Sequence, residues 1–175
     1  PIEMELATEA ILKFDGPVYM RTGRSPIRRV LADDYKFEIG KGRVLRDGLD
    51  VSIVACGVEV ARALDAAEML SKEGISARVV NISTIKPLDV ELLVCCAKET
   101  GAVVTAEDHN THGGLGSAVA EALIQNEPCP MEFIGVKDVF GESGEPDELA
   151  EKYGLTAPFI VEAVKKVIKR KEAVK

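Results

Sequence analysis

The sequence predicts an α/β fold built on a largely parallel sheet with helices on both faces. Four short apolar runs rich in β-branched residues, Val51–Cys56, Ala77–Ile82, Ala102–Ala106 and Met131–Val136, alternate with helix-patterned stretches. Strands separated by helices of about 10–15 residues are the signature of βαβ units. The turnovers are punctuated by Gly57, Gly74, Gly101 and Gly113-Gly114. The chain has 175 residues, of which 46% are apolar and 29% charged. That is enough for one domain and a fragment of a second, burying roughly 70% of the surface of the unfolded chain without a disulfide or metal staple.

From the N-terminus, Ile2, Leu6, Ala10 and Phe14 recur at helical spacing with Glu3, Glu5 and Glu9 outside them, which predicts an amphipathic helix. Asp15-Gly16-Pro17 stops it, and Val18-Tyr19-Met20 reads as a short buried strand. This helix and strand have no sequence neighbours to pack on, so they are expected to be the edge of another domain. The absence of an initiating Met points the same way. Next, Tyr35–Ile39 and Arg43–Arg46 alternate around Gly40-Lys41-Gly42, a hairpin signal. Beyond Val51–Cys56, Val60, Leu64, Ala67 and Leu70 form the inward stripe of a helix capped by Gly74. Pro87 is expected to open the next helix, which Gly101 stops. Ser117–Gln125 forms another, Pro146 starts a short one, and Phe159 to about Lys171 forms the last.

The global signals exclude several classes. The formal net charge of −7 is wrong for a protein devoted to phosphate backbones, so no nucleic-acid partner is expected. The basic end, Lys165 to Lys171, reads as a solvated helix terminus. No run approaches the roughly 18–20 apolar residues of a membrane span, and the N-terminus has no signal-peptide pattern. Cys56, Cys95, Cys96 and Cys129 form no CxxC and fit thiols in a reducing cytoplasm.

Three clusters could carry chemistry. Glu107-Asp108-His109-Asn110-Thr111-His112 follows the third strand, at the end of the sheet where α/β folds collect ligands. His109 could serve as an acid or base. The same loop could equally satisfy strand and helix ends or meet a partner domain. Metal binding is not expected, because further ligands are lacking nearby. Gly113-Gly114-Leu115-Gly116-Ser117 could offer N–H groups to an anion, or make a tight turn with close helix–sheet packing; it matches neither phosphate-binding fingerprint. Arg21 and Arg24 flank the end of the expected strand, in a Gly-Ser-Pro context where the backbone turns. They could grip a phosphate through their guanidinium forks or remain ordinary solvated charges.

Several segments together resemble the transketolase superfamily. Asp50–Val60 is similar to the strand–turn–helix that opens its C-terminal domain, and Ser83-Thr84-Ile85-Lys86-Pro87-Leu88-Asp89 to its T-I-K/R-P-L/M-D turn. Val104–His109 with Gly113–Ala118 resembles its V-T-x-E segment and glycine turn, and Gly40–Gly48 its entering hairpin. The resemblance implies a three-layer α/β/α fold with a mixed, mostly parallel sheet of about five strands. It implies boundaries at 1–25 (the end of a pyrimidine-binding domain), 26–50 (a linker with the hairpin) and 51–175 (the C-terminal domain). The family uses thiamine diphosphate and Mg²⁺, held between diphosphate- and pyrimidine-binding domains of a dimer. This chain alone is expected to bind neither, to be inactive by itself, and to support the dimer and the substrate entrance. Its parent would be a cytoplasmic, homodimeric enzyme of the pentose phosphate pathway that moves a two-carbon ketol unit between sugar phosphates.

By the same resemblance, Arg24, with Arg21 as the weaker candidate, would hold the substrate phosphate. Glu107, His109 and His112 would face the active-site entrance or the dimer partner. The arginine pair also resembles the R-x-P-R-G of 1-deoxy-D-xylulose-5-phosphate synthase, with Gly23 and Ser25 replacing the proline and glycine. The corresponding domain of that enzyme, that of a 2-oxoacid dehydrogenase beta subunit, and a regulatory domain binding a small anion at Gly113–Ser117 are the alternatives.

Overall fold

The computed structural model describes residues 1–23 and 26–173. Five strands form one sheet: β1 (Arg43–Arg46), β2 (Val51–Ala55), β3 (Ala77–Asn81), β4 (Val103–Asn110) and β5 (Met131–Val136). Their order is β1-β3-β2-β4-β5, with β1 antiparallel and the other pairs parallel. Six helices accompany them among the described residues: α1 (Ile2–Ile11), α2 (Glu59–Lys72), α3 (Val90–Thr100), α4 (Leu115–Asn126), α5 (Pro146–Lys152) and α6 (Ala157–Ala173). The fold is therefore the mixed, mostly parallel α/β/α sandwich that the resemblance implies.

The strands of a parallel sheet are covered on both faces, so they read as continuous apolar runs. All five residues of β2 and of β3 are buried. On one face Val51, Ile53, Ala55, Val79, Val104 and Ala106 meet α2 and α6; on the other Val54, Val80, Ile82 and Val103 meet α3 and α4. Ser52 points into the second layer, where its hydroxyl lies 3.0 Å from that of buried Thr100.

The N-terminal helix is present as expected, but two other elements expected before β1 are not. Val18-Tyr19-Met20 is not a strand: no sheet edge lies beside it, and Tyr19 is 89% exposed. The expected hairpin is also absent. Tyr35–Ile39 forms no strand, and β1 pairs instead with the free edge of β3. Tyr35 serves a different purpose, donating its hydroxyl to Glu3 at 2.6 Å while Asn81 Nδ2 donates to the same carboxylate at 2.8 Å. The Asn81 bond fastens α1 to the carboxyl end of β3, and the Tyr35 bond ties it to the segment before β1. α1 ends at Ile11, and Phe14, expected on its inward stripe, is 47% exposed.

Two later boundaries shift for identifiable reasons. Pro87 sits in a cis peptide bond, and the helix opens only at Val90, because the side chain of Asp89 accepts the Leu92 N–H as its cap. β4 runs four residues past Ala106 to Asn110, so the polar cluster read as a loop is mostly strand.

A candidate site at the carboxyl ends of β2 and β4

β2 connects outward through α2 to β3, and the chain returns through α3 to β4, which continues the opposite way through α4 to β5. The connections leaving β2 and β4 therefore diverge to opposite faces. Such a divergence opens the crevice in which α/β sheets hold ligands. Cys56, Glu59, Glu107, Asp108 and His109 gather there, and the extended segment after α1 brings Arg21 to them. Arg21 Nη1 donates to the carbonyl of Asp108 at 2.6 Å, and Nη2 lies 3.8 Å from its carboxylate. Farther along, Arg28 donates to the Ala61 carbonyl at 3.1 Å and to Asp65 at 2.8 Å. The described parts of this segment, on either side of residues 24 and 25, thus act as a strap stitched to the end of β4 and to α2.

The pleat of β4 turns Glu107 inward, 1% exposed, beneath the start of α4. Its two oxygens accept the N–H groups of Leu115 and Gly116, both at 2.7 Å. These donors belong to the first turn of α4, which carries unsatisfied N–H groups and the positive end of the helix dipole. A Cβ at Gly114 would collide with this carboxylate, and one at Gly116 would sit 2.6 Å from the Phe133 ring. The glycines therefore serve close packing. The Gly113 N–H is also taken, by Ser117 Oγ at 2.8 Å. This overturns the small-anion site considered at Gly113–Ser117: the protein supplies that anion itself.

His109 Nδ1 lies 2.9 Å from the Asn110 carbonyl and 3.9 Å from Glu107 Oε2. A carbonyl only accepts, so Nδ1 carries the proton and Nε2 is left free on a half-exposed ring. His112 contributes its backbone N–H, which donates to Asn110 Oδ1 at 2.8 Å in a local turn; its side chain is exposed. Arg21, Glu107 and His109 are thus brought together, whereas His112 stands apart. Arg24 lies outside the described residues.

Glu59 is the site residue that sequence reasoning missed. It is fully buried at the start of α2, one oxygen accepting from Arg62 at 2.5 Å and the other without a partner among the described residues. The available signal was the i,i+3 acid–base spacing immediately after a strand and glycine. Burial pushes its carboxyl up to about 7, with Asp108 adding to the rise and Arg62 opposing it. Burial likewise pushes the Cys56 thiol up to about 12, helped by Glu107 and Glu59. That leaves Cys56 a protonated core-edge thiol and a poor nucleophile.

The Glu59 shift has a testable sign. The folded state holds this proton more tightly than the unfolded chain, whose carboxyl titrates near the ordinary 4.5. Stability from this group is therefore complete below the unfolded value and is lost as pH rises through about 7, by about 3 kcal/mol. Thermal unfolding between pH 4.5 and 8 should show this decline, and Glu59→Gln should flatten it. Equal slopes in the two proteins would refute it.

Among the described residues, no group of three or more His, Cys, Asp and Glu could hold a metal ion. With the N–H groups at α4 taken by Glu107, the residues here do not fit a diphosphate cofactor.

Fold and site together define an α/β/α domain: a mixed sheet whose α4 start is filled from within and whose crevice is strapped by preceding chain. The transketolase C-terminal domain family model matches residues 40–160, and this chain belongs to that family. It is 49% identical over 169 residues to the 6-deoxy-6-sulfo-D-fructose transketolase subunit SqwH of Clostridium sp. (strain MSTE9), covering 97% of this chain and 52% of that protein. It is 41% identical over 158 residues to 1-deoxy-D-xylulose-5-phosphate synthase of Heliobacterium modesticaldum (strain ATCC 51547 / Ice1), covering 89% of this chain and 24% of that one. A solved structure described as a split gene transketolase, inactive beta4 tetramer, superposes with a TM-score of 0.89 at 55% identity. The match covers 94% of this chain and 55% of that chain. The chain thus spans about half the length of SqwH and of the solved split-gene protein. No helix among the described residues is long and apolar enough to cross a membrane.

Proposed function

We propose that this chain is the C-terminal section of the second subunit of a split transketolase. Residues 1–25 would be the end of a pyrimidine-binding domain, 26–50 a linker, and 51–175 the C-terminal domain. The observation that supports this most is the 55% identity, sustained over 94% of the chain, to the split-gene protein. The enzyme so completed would transfer a two-carbon ketol unit between a ketose and an aldose that each bear a terminal anion. Thiamine diphosphate with Mg²⁺ would supply the chemistry from the missing domains. Within this chain, Arg24 and Arg21 would hold the substrate anion, and Glu107 would fix the strand end to which the strap is fastened. His109, with His112 as a weaker candidate, would border the entrance. The complete enzyme would be built around a dimer of this subunit and work in the cytoplasm, in keeping with four free cysteines.

The subunit that carries this chain, mixed with the separately produced diphosphate-binding subunit, should transfer ketol units to ribose 5-phosphate, and neither subunit should do so alone. Decarboxylation of pyruvate without transfer would reject this function in favour of a 2-oxoacid dehydrogenase. Formation of 1-deoxy-D-xylulose 5-phosphate would instead favour the synthase represented by the Heliobacterium relative. The sulfo-sugar named for SqwH makes sulfonate as well as phosphate a terminal anion to assay.

A further inference from the structure

We infer that Glu59 and Arg21 form a proton-operated latch: seating of the strap on the end of β4 and ionisation of Glu59 control one another through Asp108. Glu59 is completely buried at the start of α2, and its Oε2 has no partner among the described residues. A charge on this carboxyl would leave one oxygen without solvent or donor, which is costly. Burial therefore raises its affinity for a proton, Arg62 opposes the rise, and the charge of Asp108 adds to it. These influences balance at about 7, where a modest change in the surrounding charge decides whether the group is ionised.

Asp108 is also where the strap is seated. Arg21 donates to its carbonyl at 2.6 Å and brings Nη2 to 3.8 Å from its carboxylate. Seated there, the guanidinium offsets the charge that opposes ionisation of Glu59; released, it uncovers that charge. The seated strap thus favours ionised Glu59, and ionised Glu59 makes the end of β4 more attractive to a cation. The other groups around Glu59 are committed elsewhere. Arg62, on α2 itself, bonds Glu59 and the Leu155 carbonyl, while Asp65 and Glu68 farther along α2 pair with Arg28 and Arg46. From β4, Glu107 is held by the first turn of α4, and His109 turns Nδ1 to the Asn110 carbonyl. Cys56, at the end of β2, is a protonated thiol. Arg78 of β3 faces α3, toward Cys96 and Glu99, and α6 buries only apolar side chains.

Two coupled equilibria shift one another by the same factor, so the latch can be read from both sides. The full-length protein that carries this chain is labelled with ¹³C at its glutamate carboxyl groups. The Glu59 resonance, assigned by its loss in Glu59→Gln, is then followed by NMR from about pH 5 to 9. Arg21→Ala should raise the proton affinity of Glu59 about threefold, a modest factor because Arg21 and Asp108 are both half-exposed and screened. Asp108→Asn should lower it. Trypsin cleavage after Arg21 reads the strap, since the protease accepts only a released arginine in its pocket. The rate relative to that of Glu59→Gln cancels the protease's own pH dependence and should fall about threefold from about pH 6 to 8.5. Because His109 is a titratable neighbour of the seat, both effects should persist in His109→Gln. Equal proton affinity in wild type and Arg21→Ala would overturn the latch. So would a cleavage ratio that is constant with pH, or effects that vanish with His109→Gln.

Discussion

Glu107→Ala is expected to lower folding stability by about 4 kcal/mol. A bond from a backbone N–H to a buried carboxylate contributes about 1.5–3 kcal/mol, and Glu107 accepts two, each of 2.7 Å. The negative charge also offsets the dipole of the twelve-residue α4. Alanine would leave both donors buried with nothing to meet them, in a space the carboxylate had filled. Glu107→Gln keeps the shape but turns one acceptor into a donor facing an N–H, so about half the loss is expected. Urea unfolding should show the midpoint falling while the dependence on denaturant is retained, because the surface exposed on unfolding hardly changes. A loss below about 1 kcal/mol for Glu107→Ala would mean that water replaces the carboxylate, and would reopen α4 as an anion site.

Why this residue was hard to see in the sequence is instructive. In a string of letters, Glu107 belongs to a hydrophilic cluster after an apolar run and looks like part of a surface loop. The strand continues to Asn110, and its period of two sets Glu107 on the same face as Val103 and Thr105, toward α4. Had the strand been extended by that alternation, the burial would have followed. The β2 and β3 runs were legible because burial on both faces leaves no room for polar interruptions. The same period misleads at Tyr35–Ile39, where alternation is present but β1 has already taken the edge of β3, leaving no partner. Val18–Met20 fails for the same reason: three apolar residues make a strand only beside a sheet.

Contacts between distant residues left no local trace at all. Arg21 meets Asp108 across 87 positions, and neither residue's neighbours specify the other. The resemblance placed Arg21 in a substrate role without showing what holds it, whereas the structure shows its attachment to the end of β4. Glu59 is an intermediate case. Its pairing with Arg62 is local, but it is fully buried in a helix covered by elements distant in sequence, β4 and α6 among them.

That attachment separates the two arginines in a kinetic experiment on the complete two-subunit enzyme. Arg24→Ala is expected to reduce kcat/KM for phosphorylated donors by about 100-fold, corresponding to about 3 kcal/mol for a charged, forked contact to phosphate. Activity with an unphosphorylated donor and an unphosphorylated acceptor should change little, because the contact proposed for Arg24 would be to the anionic end of the substrate and away from the reacting carbons. Arg21 presents a different balance: one Nη is already committed to the Asp108 carbonyl, yet the side chain is 54% exposed. Arg21→Ala should therefore act chiefly by loosening the strap, with a loss of about tenfold that affects phosphorylated and unphosphorylated substrates more evenly. Arg21→Lys should recover less than the charge alone predicts, because an ammonium cannot reach the carbonyl and a phosphate in the plane of a guanidinium fork. Equal losses on both substrate classes for Arg24→Ala would remove the phosphate role. A selective loss for Arg21→Ala alone would move that role to the residue the strap fixes most firmly.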